Sequence, residues 1–432
     1  MTRISRRSLG HALALVFALS VIAGSLSACG GGGSSSQGET SSGSSAGSTT
    51  SGGTSDAAAA GVPQSAVPGE KASGTPLKVG FIFDEGGTAI SQPEGREAAE
   101  AVVAYANEQL GGLKGRPIEL MTCSTKVEVA AATNCANQMV QEEVVGVVVS
   151  STAEGEAIVP IITKAGIPYA FPTGTSPVEY TLPGAFNLTS GLPGPFSASA
   201  KYAKENGIKN VTMFVLDAGG FAATAESLAK PAYEEAGVNI AFSKVPEGTP
   251  DATPEVTAGL KSNPEAVFIE ADATGCIAVM KGLESLGSSV QRWLPDTCLT
   301  PSVVETVSAE NFEGATNFTV DDVSTNDPEA RTYRWVMSKF APEAPTTGVA
   351  PVGYQAMLSF IRVADNAKGA VTAKSVLASF TSGKEVKLAV GHGLTFNCGQ
   401  KIDPTLPAIC GEGVLAATLD GEAKLGTVKV IK

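Results

Sequence analysis

The chain has 432 residues, more than one ordinary hydrophobic core supports, so two domains are expected. Its 43 Asp and Glu outnumber its 30 Lys and Arg, giving a net charge of −13, and such an acidic surface argues against nucleic acid and anionic membranes as partners. Aromatic residues make up 6% of the chain and histidines number two, which disfavours stacking platforms for bases or sugars and metal sites built from several histidines.

The N-terminal segment has the layout of a secretory signal peptide, predicted over residues 1–28. Three arginines come first, then an apolar run of about a dozen residues, then small residues. The run is shorter than the ~20 residues that a membrane-spanning helix needs, so a permanent membrane helix is disfavoured. The Arg6-Arg7 pair is similar to a twin-arginine export signal, and both this route and the general secretory route stay open.

The stretch LSAC, which ends at Cys29, resembles the lipobox of bacterial lipoproteins. The resemblance implies that Cys29 carries a lipid and anchors an exported protein to the outer face of the bacterial cell membrane. The alternative is ordinary cleavage near Ala28, which leaves a free thiol. Residues 29–75 are then predicted to be a disordered tether, because a Gly- and Ser-rich stretch buries too little apolar surface to offset its ordering entropy.

Six further cysteines predict disulfides, since an even count in an exported chain is typical of them. No C-x-x-C motif occurs, so a metal site is disfavoured, and no metal is expected. Short spacings favour three local pairs, each stabilising the fold by ~3 kcal/mol: Cys123–Cys135, Cys276–Cys298 and Cys398–Cys410.

From Leu77 onward, short apolar runs alternate with segments of helical periodicity. The first series of strands is LKVGFIF, RPIELMTC, VVGVVVSS and IPYAF, and helices such as EGREAAEAVVAYANEQL separate them. The alternation restarts after Pro195, with strands VTMFVLD, VNIAFSKV, AVFIEAD and QRWLPD and with a helix predicted to break near Pro231. Helices over 327–340, 352–367 and 372–382 and a tail of antiparallel strands follow.

This order predicts an α/β protein with two doubly wound, Rossmann-like lobes and a cleft between them. The chain is expected to cross between the lobes about three times. Lobe 1 is predicted to comprise residues 76–192 and 320–390, and lobe 2 residues 193–319 and 391–432. Ligands of such sheets bind beyond the carboxyl ends of the strands, and closure of two lobes buries a small ligand.

Several ordered stretches of residues 76–432 resemble the branched-chain-amino-acid type of periplasmic substrate-binding protein, the solute receptor of an ABC importer. They are LKVGFIFDEGG, EGREAAEAVVAYANEQLGGLKGRPIEL, VVGVVVSSTAEGEAIVPIITKAGIPYAFPTGTSP and VGYQAM. The resemblance implies the type I periplasmic binding protein fold. It also implies a small-molecule solute, an ABC permease as membrane partner, a monomer and no cofactor.

In that family, hydroxyls and backbone amides after the third and fourth strands hold the ligand carboxylate. The matching residues are Ser150, Ser151 and Thr152, and Thr173, Gly174 and Thr175. Free N–H groups and the helix dipole favour an anion there, although helix capping is the alternative role for such residues.

The resemblance also implies a carboxylate for the ligand ammonium group, matched by Asp296, with a solvated turn aspartate as the alternative. Phe221 matches a position that is often Tyr, as an apolar ligand contact or a core residue. The first loop departs from the family pattern, since it carries Asp84 and Glu85 and has Ser91 where an aromatic residue can occur. These departures extend the expected solutes from branched-chain amino acids to amides, urea-like molecules and other small polar solutes.

Two functions follow from this reading, an importer receptor and a ligand sensor of the same fold that signals to a membrane partner. An exported hydrolase is disfavoured, because residues 76–432 contain no G-x-S-x-G elbow and a triad would have to use His392, which lies in the turn-like VGHGL. The expected mechanism is binding without chemistry.

Overall fold

The computed structural model of the protein describes residues 52–87, 91–218 and 220–432. The predicted signal peptide, Cys29 and the tether up to residue 51 lie outside the described residues. Among the described helices, none combines the length and apolar character needed to cross a membrane.

The strands and helices alternate over most of the chain. The strands are β1 (Leu77–Phe83), β2 (Ile118–Ser124), β3 (Val147–Val149), β4 (Tyr169–Phe171), β5 (Ala185–Asn187), β6 (Asn210–Asp217), β7 (Asn239–Pro246), β8 (Ala266–Glu270), β9 (Gln291–Leu294), β10 (Thr316–Thr319), β11 (Val386–Lys387), β12 (Thr395–Phe396), β13 (Val414–Leu419) and β14 (Leu425–Ile431). The α-helices are α1 (Gly52–Ala59), α2 (Pro93–Gln109), α3 (Val129–Gln141), α4 (Gly155–Lys164), α5 (Pro177–Thr181), α6 (Pro193–Glu205), α7 (Phe221–Ala236), α8 (Thr253–Leu260), α9 (Ala273–Ser285), α10 (Pro301–Val304), α11 (Pro328–Phe340), α12 (Ala350–Ala364) and α13 (Ala373–Phe380).

Lobe 1 is built on a parallel sheet with strand order β2-β1-β3-β4-β5. The strand β1 is buried along almost its whole length, as expected of a parallel strand with helices on both faces. Phe81 faces a core formed with α2, α11 and α12, whereas Ile82 faces a core formed with α3 and α4. The helices approach the sheet closely, since a Cβ atom at Gly80 would lie 2.6 Å from the sulfur of Met139.

Lobe 2 is built on a seven-stranded sheet with strand order β14-β13-β10-β9-β8-β6-β7. The five strands β6, β7, β8, β9 and β10 are parallel, and β13 and β14 extend the sheet with antiparallel pairing. The helices α6 and α7 share a core with one face, and α8 and α9 share a core with the other. The predicted α/β class and the two doubly wound lobes are therefore confirmed.

The chain passes between the lobes three times: after β5, after β10 and just before β13. The third crossing lies later than predicted, because Leu394 and Phe396 are buried in the core of lobe 1, and the segment after them contacts both lobes, with Ile409 in the core of lobe 2. The amide of Asn187 donates to the carbonyl of Ala408 at 2.8 Å, and the amide of Cys410 donates to the carbonyl of Asn187 at 2.9 Å. This segment covers the otherwise open edge of β5, which explains its contact with lobe 1.

The predicted tether is also shorter than residues 29–75, because residues from about 56 onward pack on lobe 1. Ala57, Val62 and Val67 are buried in the core that contains α2 and α11. The amide of Glu70 donates to the carbonyl of Gln109 at 2.9 Å. Three apolar side chains spaced through a polar stretch are too few to produce the periodicity of a helix or a strand. The sequence pattern therefore does not predict that this segment packs on lobe 1.

The three predicted disulfides are formed: Cys123–Cys135, Cys276–Cys298 and Cys398–Cys410. The helix α7 differs from its prediction, since it continues through Pro231 without a break.

Candidate functional site

The carboxyl ends of β1, β2 and β3 converge on the buried carboxylate of Asp84. Its Oδ1 accepts hydrogen bonds from the hydroxyl of Thr152, at 2.9 Å, and from that of Thr125, while Oδ2 accepts one from the amide of Ala153, at 2.9 Å. The neighbouring Glu85 accepts from Arg96 at 2.9 Å. The hydrogen-bond donors that precede α4, the Thr152 hydroxyl and the Ala153 amide, therefore already donate to the carboxylate of Asp84.

The two predicted lobe 1 segments lie side by side at this edge. The hydroxyl of Thr175 donates to the carbonyl of Thr152 at 2.7 Å. Ser151 and Thr173 are partly exposed, and their side chains form no hydrogen bond with another described residue. We call Asp84, Ser151–Glu154 and Thr173–Thr175 the lobe 1 rim.

Two of the predicted lobe 1 residues, Ser150 and Gly174, are buried. Ser150 is 1% exposed, and a Cβ atom at Gly95 would lie 2.9 Å from its hydroxyl. Gly174 is also buried, and its carbonyl accepts from the hydroxyl of Tyr180 at 2.8 Å. These positions support the loops, and ligand contact by the exposed members of the rim stays a prediction.

A second buried carboxylate, Glu179, holds the Thr173–Thr175 loop in place. It accepts from the amides of Thr175 and Ser176, at 2.8 and 3.0 Å, and from the hydroxyl of Tyr169, at 3.0 Å. Burial raises the pKa of Glu179, and these donors oppose that rise. Burial and the nearby Asp84 likewise raise the pKa of Glu154.

In lobe 2, Asp296 follows β9 at the start of a short 3-10 turn, Asp296–Leu299. Its Oδ1 accepts from the Asn317 amide at 3.0 Å, and its Oδ2 accepts from the Thr319 hydroxyl at 2.5 Å. Burial raises the pKa of Asp296, and the two hydrogen bonds oppose that rise. This carboxylate is fixed by β10, in contrast to a solvated turn aspartate.

Two more carboxylates lie beside Asp296, and the sequence analysis missed both. Glu270 ends β8 and is partly exposed, and Asp321 follows β10 and is 6% exposed. We call Glu270, Asp296 and Asp321 the lobe 2 rim. The sequence does show an acidic residue at or just after the end of each of these buried strands. It does not show that the three strands are neighbours in the sheet, which is why the three carboxylates could not be grouped.

The two lobes approach each other closely at Gly348. At Gly348, which has φ +71°, a Cβ atom would lie 3.3 Å from Oε1 of Glu94 in lobe 1 and 3.6 Å from Cγ2 of Thr300 in lobe 2. Phe221 begins α7 and packs, partly buried, against the lobe 2 core. The structure thus gives it a core contact, and its ligand contact stays a prediction.

His392 lies at the second crossing, where its Nδ1 is 2.7 Å from Oδ2 of Asp322. Asp322 also accepts from the amides of Ser324 and Thr325, at 3.2 and 3.0 Å. The only histidine after the signal segment therefore helps to fix a connection between the lobes.

The acidic lobe 2 rim should make stability depend on pH. Burial, and then the neighbouring Asp296, raises the pKa of Glu270 from 4.5 to about 8. At a pH between these two pKa values, Glu270 is protonated in the folded protein and ionised in the unfolded chain. The free energy of unfolding should therefore fall as pH rises from about 5 to about 8. Glu270→Gln should reduce this fall and stabilise the ligand-free protein at pH 8 by about 1–2 kcal/mol.

Thermal unfolding at pH 5 and pH 8 checks this expectation. The matched control is Glu305→Gln, which removes an exposed carboxylate from the same lobe. Identical pH slopes for Glu270→Gln and the unsubstituted protein would contradict the assignment.

Comparison with known proteins agrees with this architecture. A family model described as periplasmic binding protein matches residues 76–405. No curated protein sequence matches the chain significantly.

Solved structures of the same fold are similar over most of their length. One is a leucine-binding protein, LivK, from Thermotoga maritima, with 20% identity over 82% of this chain and 98% of that chain and a TM-score of 0.65. Another is a branched-chain amino acid transporter substrate-binding protein, LivJ, from Streptococcus pneumoniae in complex with isoleucine, with 19% identity, coverage of 83% and 100% and a TM-score of 0.67. A third is a fatty acid ABC transporter substrate-binding protein from Thermomonospora curvata, with 16% identity, coverage of 86% and 94% and a TM-score of 0.65. At these identities the likeness concerns the fold alone, and the named solutes differ.

Proposed function

Because the chain belongs to the periplasmic binding protein family, we propose that it is the solute receptor of an ABC importer. In this role it captures a small polar solute outside the cytoplasm and delivers it to a membrane permease. The observation that carries the proposal is the pair of polar rims at the carboxyl edges of two sheets joined by three crossings. Such connections allow two lobes to close around a ligand.

Each rim has a separate part in the proposed binding. On lobe 1, the hydroxyls of Ser151 and Thr173 are available to a polar group of the solute, with Thr175 beside them. On lobe 2, Asp296 accepts hydrogen bonds from an N–H group of the solute, and Phe221 supplies apolar surface. Closure then presents a surface that differs from the open form, which the permease can distinguish.

Substitution of Asp296 tests this arrangement. Asp296→Asn should weaken solute binding by about 10- to 100-fold, because a charged hydrogen bond contributes ~1.5–3 kcal/mol. The measurement is a thermal-shift screen of the mature chain carrying Cys29→Ser against amino acids, amides, urea, polyamines and small organic acids, followed by titration calorimetry.

Glu305→Gln is the control, because it removes an exposed lobe 2 carboxylate that is not part of the lobe 2 rim. An undiminished affinity in Asp296→Asn would remove this residue from the site, and the receptor function would stand on any solute that closes the cleft. A screen in which no solute closes the cleft would count against the receptor function itself.

The proposal includes export by the signal peptide and anchoring by a lipid on Cys29, with residues after it as a tether. A tether keeps the receptor at high local concentration near its permease. Cys29→Ser should release essentially all of the protein from the membrane fraction into the soluble fraction of fractionated cells. Continued membrane association of Cys29→Ser would contradict the lipid anchor.

A further inference from the structure

The lobe 2 rim presents carboxylates on three neighbouring strands. Glu270 ends β8, and Asp296 and Asp321 follow β9 and β10; these three strands are adjacent in the sheet and parallel. Adjacent strands lie ~4.8 Å apart, so the three carboxylates lie within about 10 Å along one sheet edge. The negative charge of Asp296 contributes to raising the pKa of both Glu270 and Asp321, which agrees with this proximity.

An unpartnered acceptor lies beside these carboxylates. Asn317 is fully buried, and its Nδ2 donates to Oδ1 of Asp296 and to the carbonyl of Leu294, both at 3.0 Å. Its Oδ1 has no hydrogen-bond partner among the described residues. A buried acceptor without a donor is costly, so the described residues supply no spare donor to this acceptor beside Asp296.

The protein supplies no cation to this rim within the described residues. No Lys, Arg or His side chain there forms a salt bridge with Glu270, Asp296 or Asp321. In the same described ranges, no group of three His, Cys, Asp or Glu is arranged to hold a metal ion. An organic cation with several N–H donors therefore fits the rim better than a metal ion does.

The lobe 1 rim is unsuited to a ligand carboxylate. The hydroxyl of Thr152 and the amide of Ala153, which lie just before α4, already donate to Asp84. Glu154 adds a second carboxyl group beside them. Next to α4, a solute carboxylate would meet the occupied donors of Thr152 and Ala153 and two acidic side chains, so repulsion and desolvation would both oppose it.

We propose that the solute is an organic cation with clustered N–H donors, such as an alkyl guanidinium or a polyamine, and that it carries no free carboxylate. This proposal rests on the proposed receptor function and names its substrate class. One cationic group lies against Glu270, Asp296 and Asp321, and the rest of the solute extends toward Ser151 and Thr173.

Matched pairs of solutes test the proposal on the mature chain carrying Cys29→Ser. Agmatine and arginine differ only by the carboxylate, and argininamide keeps the side chain while neutralising that group. Titration calorimetry is expected to give agmatine and argininamide Kd values at least tenfold below that of arginine, and leucine still weaker binding. The affinity for agmatine should also fall as salt rises, because added ions screen the attraction.

Variants test separately the cation site on the lobe 2 rim and the exclusion of a carboxylate by the lobe 1 rim. Glu270→Gln and Asp321→Asn should each weaken agmatine binding by about tenfold or more, while the exposed control Glu305→Gln leaves it unchanged. Asp84→Asn should reduce the ratio of the Kd for arginine to the Kd for agmatine, because it removes a negative charge that opposes the carboxylate of arginine. If Asp84→Asn does not fold, the comparison of argininamide with arginine still measures the penalty on the carboxylate.

The outcomes distinguish this proposal from the receptor function. Equal or tighter binding of arginine or leucine, with a smaller radius of gyration in X-ray scattering, would overturn the cationic solute and uphold the receptor. Absence of binding by agmatine, argininamide and the polyamines would also overturn the cationic solute. If in addition no solute of the wider screen closes the cleft, the receptor function falls with it.

Discussion

Gly353→Ala is expected to lower the free energy of unfolding by about 3 kcal/mol, through the contact between α12 and α2. A Cβ atom at Gly353 would lie 2.0 Å from the carbonyl oxygen of Gly95. The obstacle is backbone, so relief requires the two helices to move apart. Because Gly95 also faces Ser150 closely, the displacement should reach the support of the lobe 1 rim.

Thermal and denaturant unfolding measure this effect, and Gly421→Ala is its matched control. A Cβ atom at Gly421 would approach nothing closer than 3.3 Å, and that neighbour is the end of the flexible Glu313 side chain. The control should therefore change stability by less than about 0.5 kcal/mol. Equal melting temperatures for Gly353→Ala and the unsubstituted protein would show that the helices separate without cost.

The double variant Cys276→Ala/Cys298→Ala is expected to have the second large effect, a loss of about 3–4 kcal/mol. This disulfide closes a loop with a sequence separation of 22, and both cysteines are completely buried in the core of lobe 2. Loop-closure entropy alone gives about 3 kcal/mol for this length. Cys298 lies two residues after Asp296, so the substitution also loosens the turn that carries a lobe 2 rim carboxylate.

The pair Cys123–Cys135 provides the comparison, because its sequence separation is 12 and Cys123 is only partly buried. Its removal should cost slightly less, about 3 kcal/mol or below, and should leave the pH dependence assigned to Glu270 unchanged. Chemical denaturation at pH 5 and pH 8 checks both statements. A smaller loss for the Cys276–Cys298 pair than for the Cys123–Cys135 pair would contradict the argument from loop length and burial.

Local patterns in the sequence were sufficient for most helices and strands. The buried run LKVGFIF forms β1, and the periodic segment after it forms α2. The close spacing of Cys123 and Cys135, and of the other two pairs, predicted the disulfide connectivity correctly. These features depend on residues near one another in the chain, where periodicity and loop entropy act directly.

Local patterns did not predict elements that are very short or that depend on contacts with distant segments of the chain. The three-residue strand β5 has no period of its own, and its edge pairs with residues from the distant segment near Cys410. The helix α7 continues through Pro231, although the local rule predicts a break. In both cases contacts from elsewhere in the fold outweigh the local preference.

The amino-acid sequence by itself determined the α/β class, the two lobes and the disulfide pairs, while ligand contact by Asp296, which the family resemblance implies, stays a prediction. Only the tertiary structure decided that Asp84 occupies the donors of the lobe 1 rim and that Glu270 and Asp321 lie beside Asp296. It also decided that residues from about 56 to 75 belong to lobe 1. The physical reason is that strand order and docking are settled by burial and hydrogen bonding between distant segments, which leave no period in the sequence that could be read in advance.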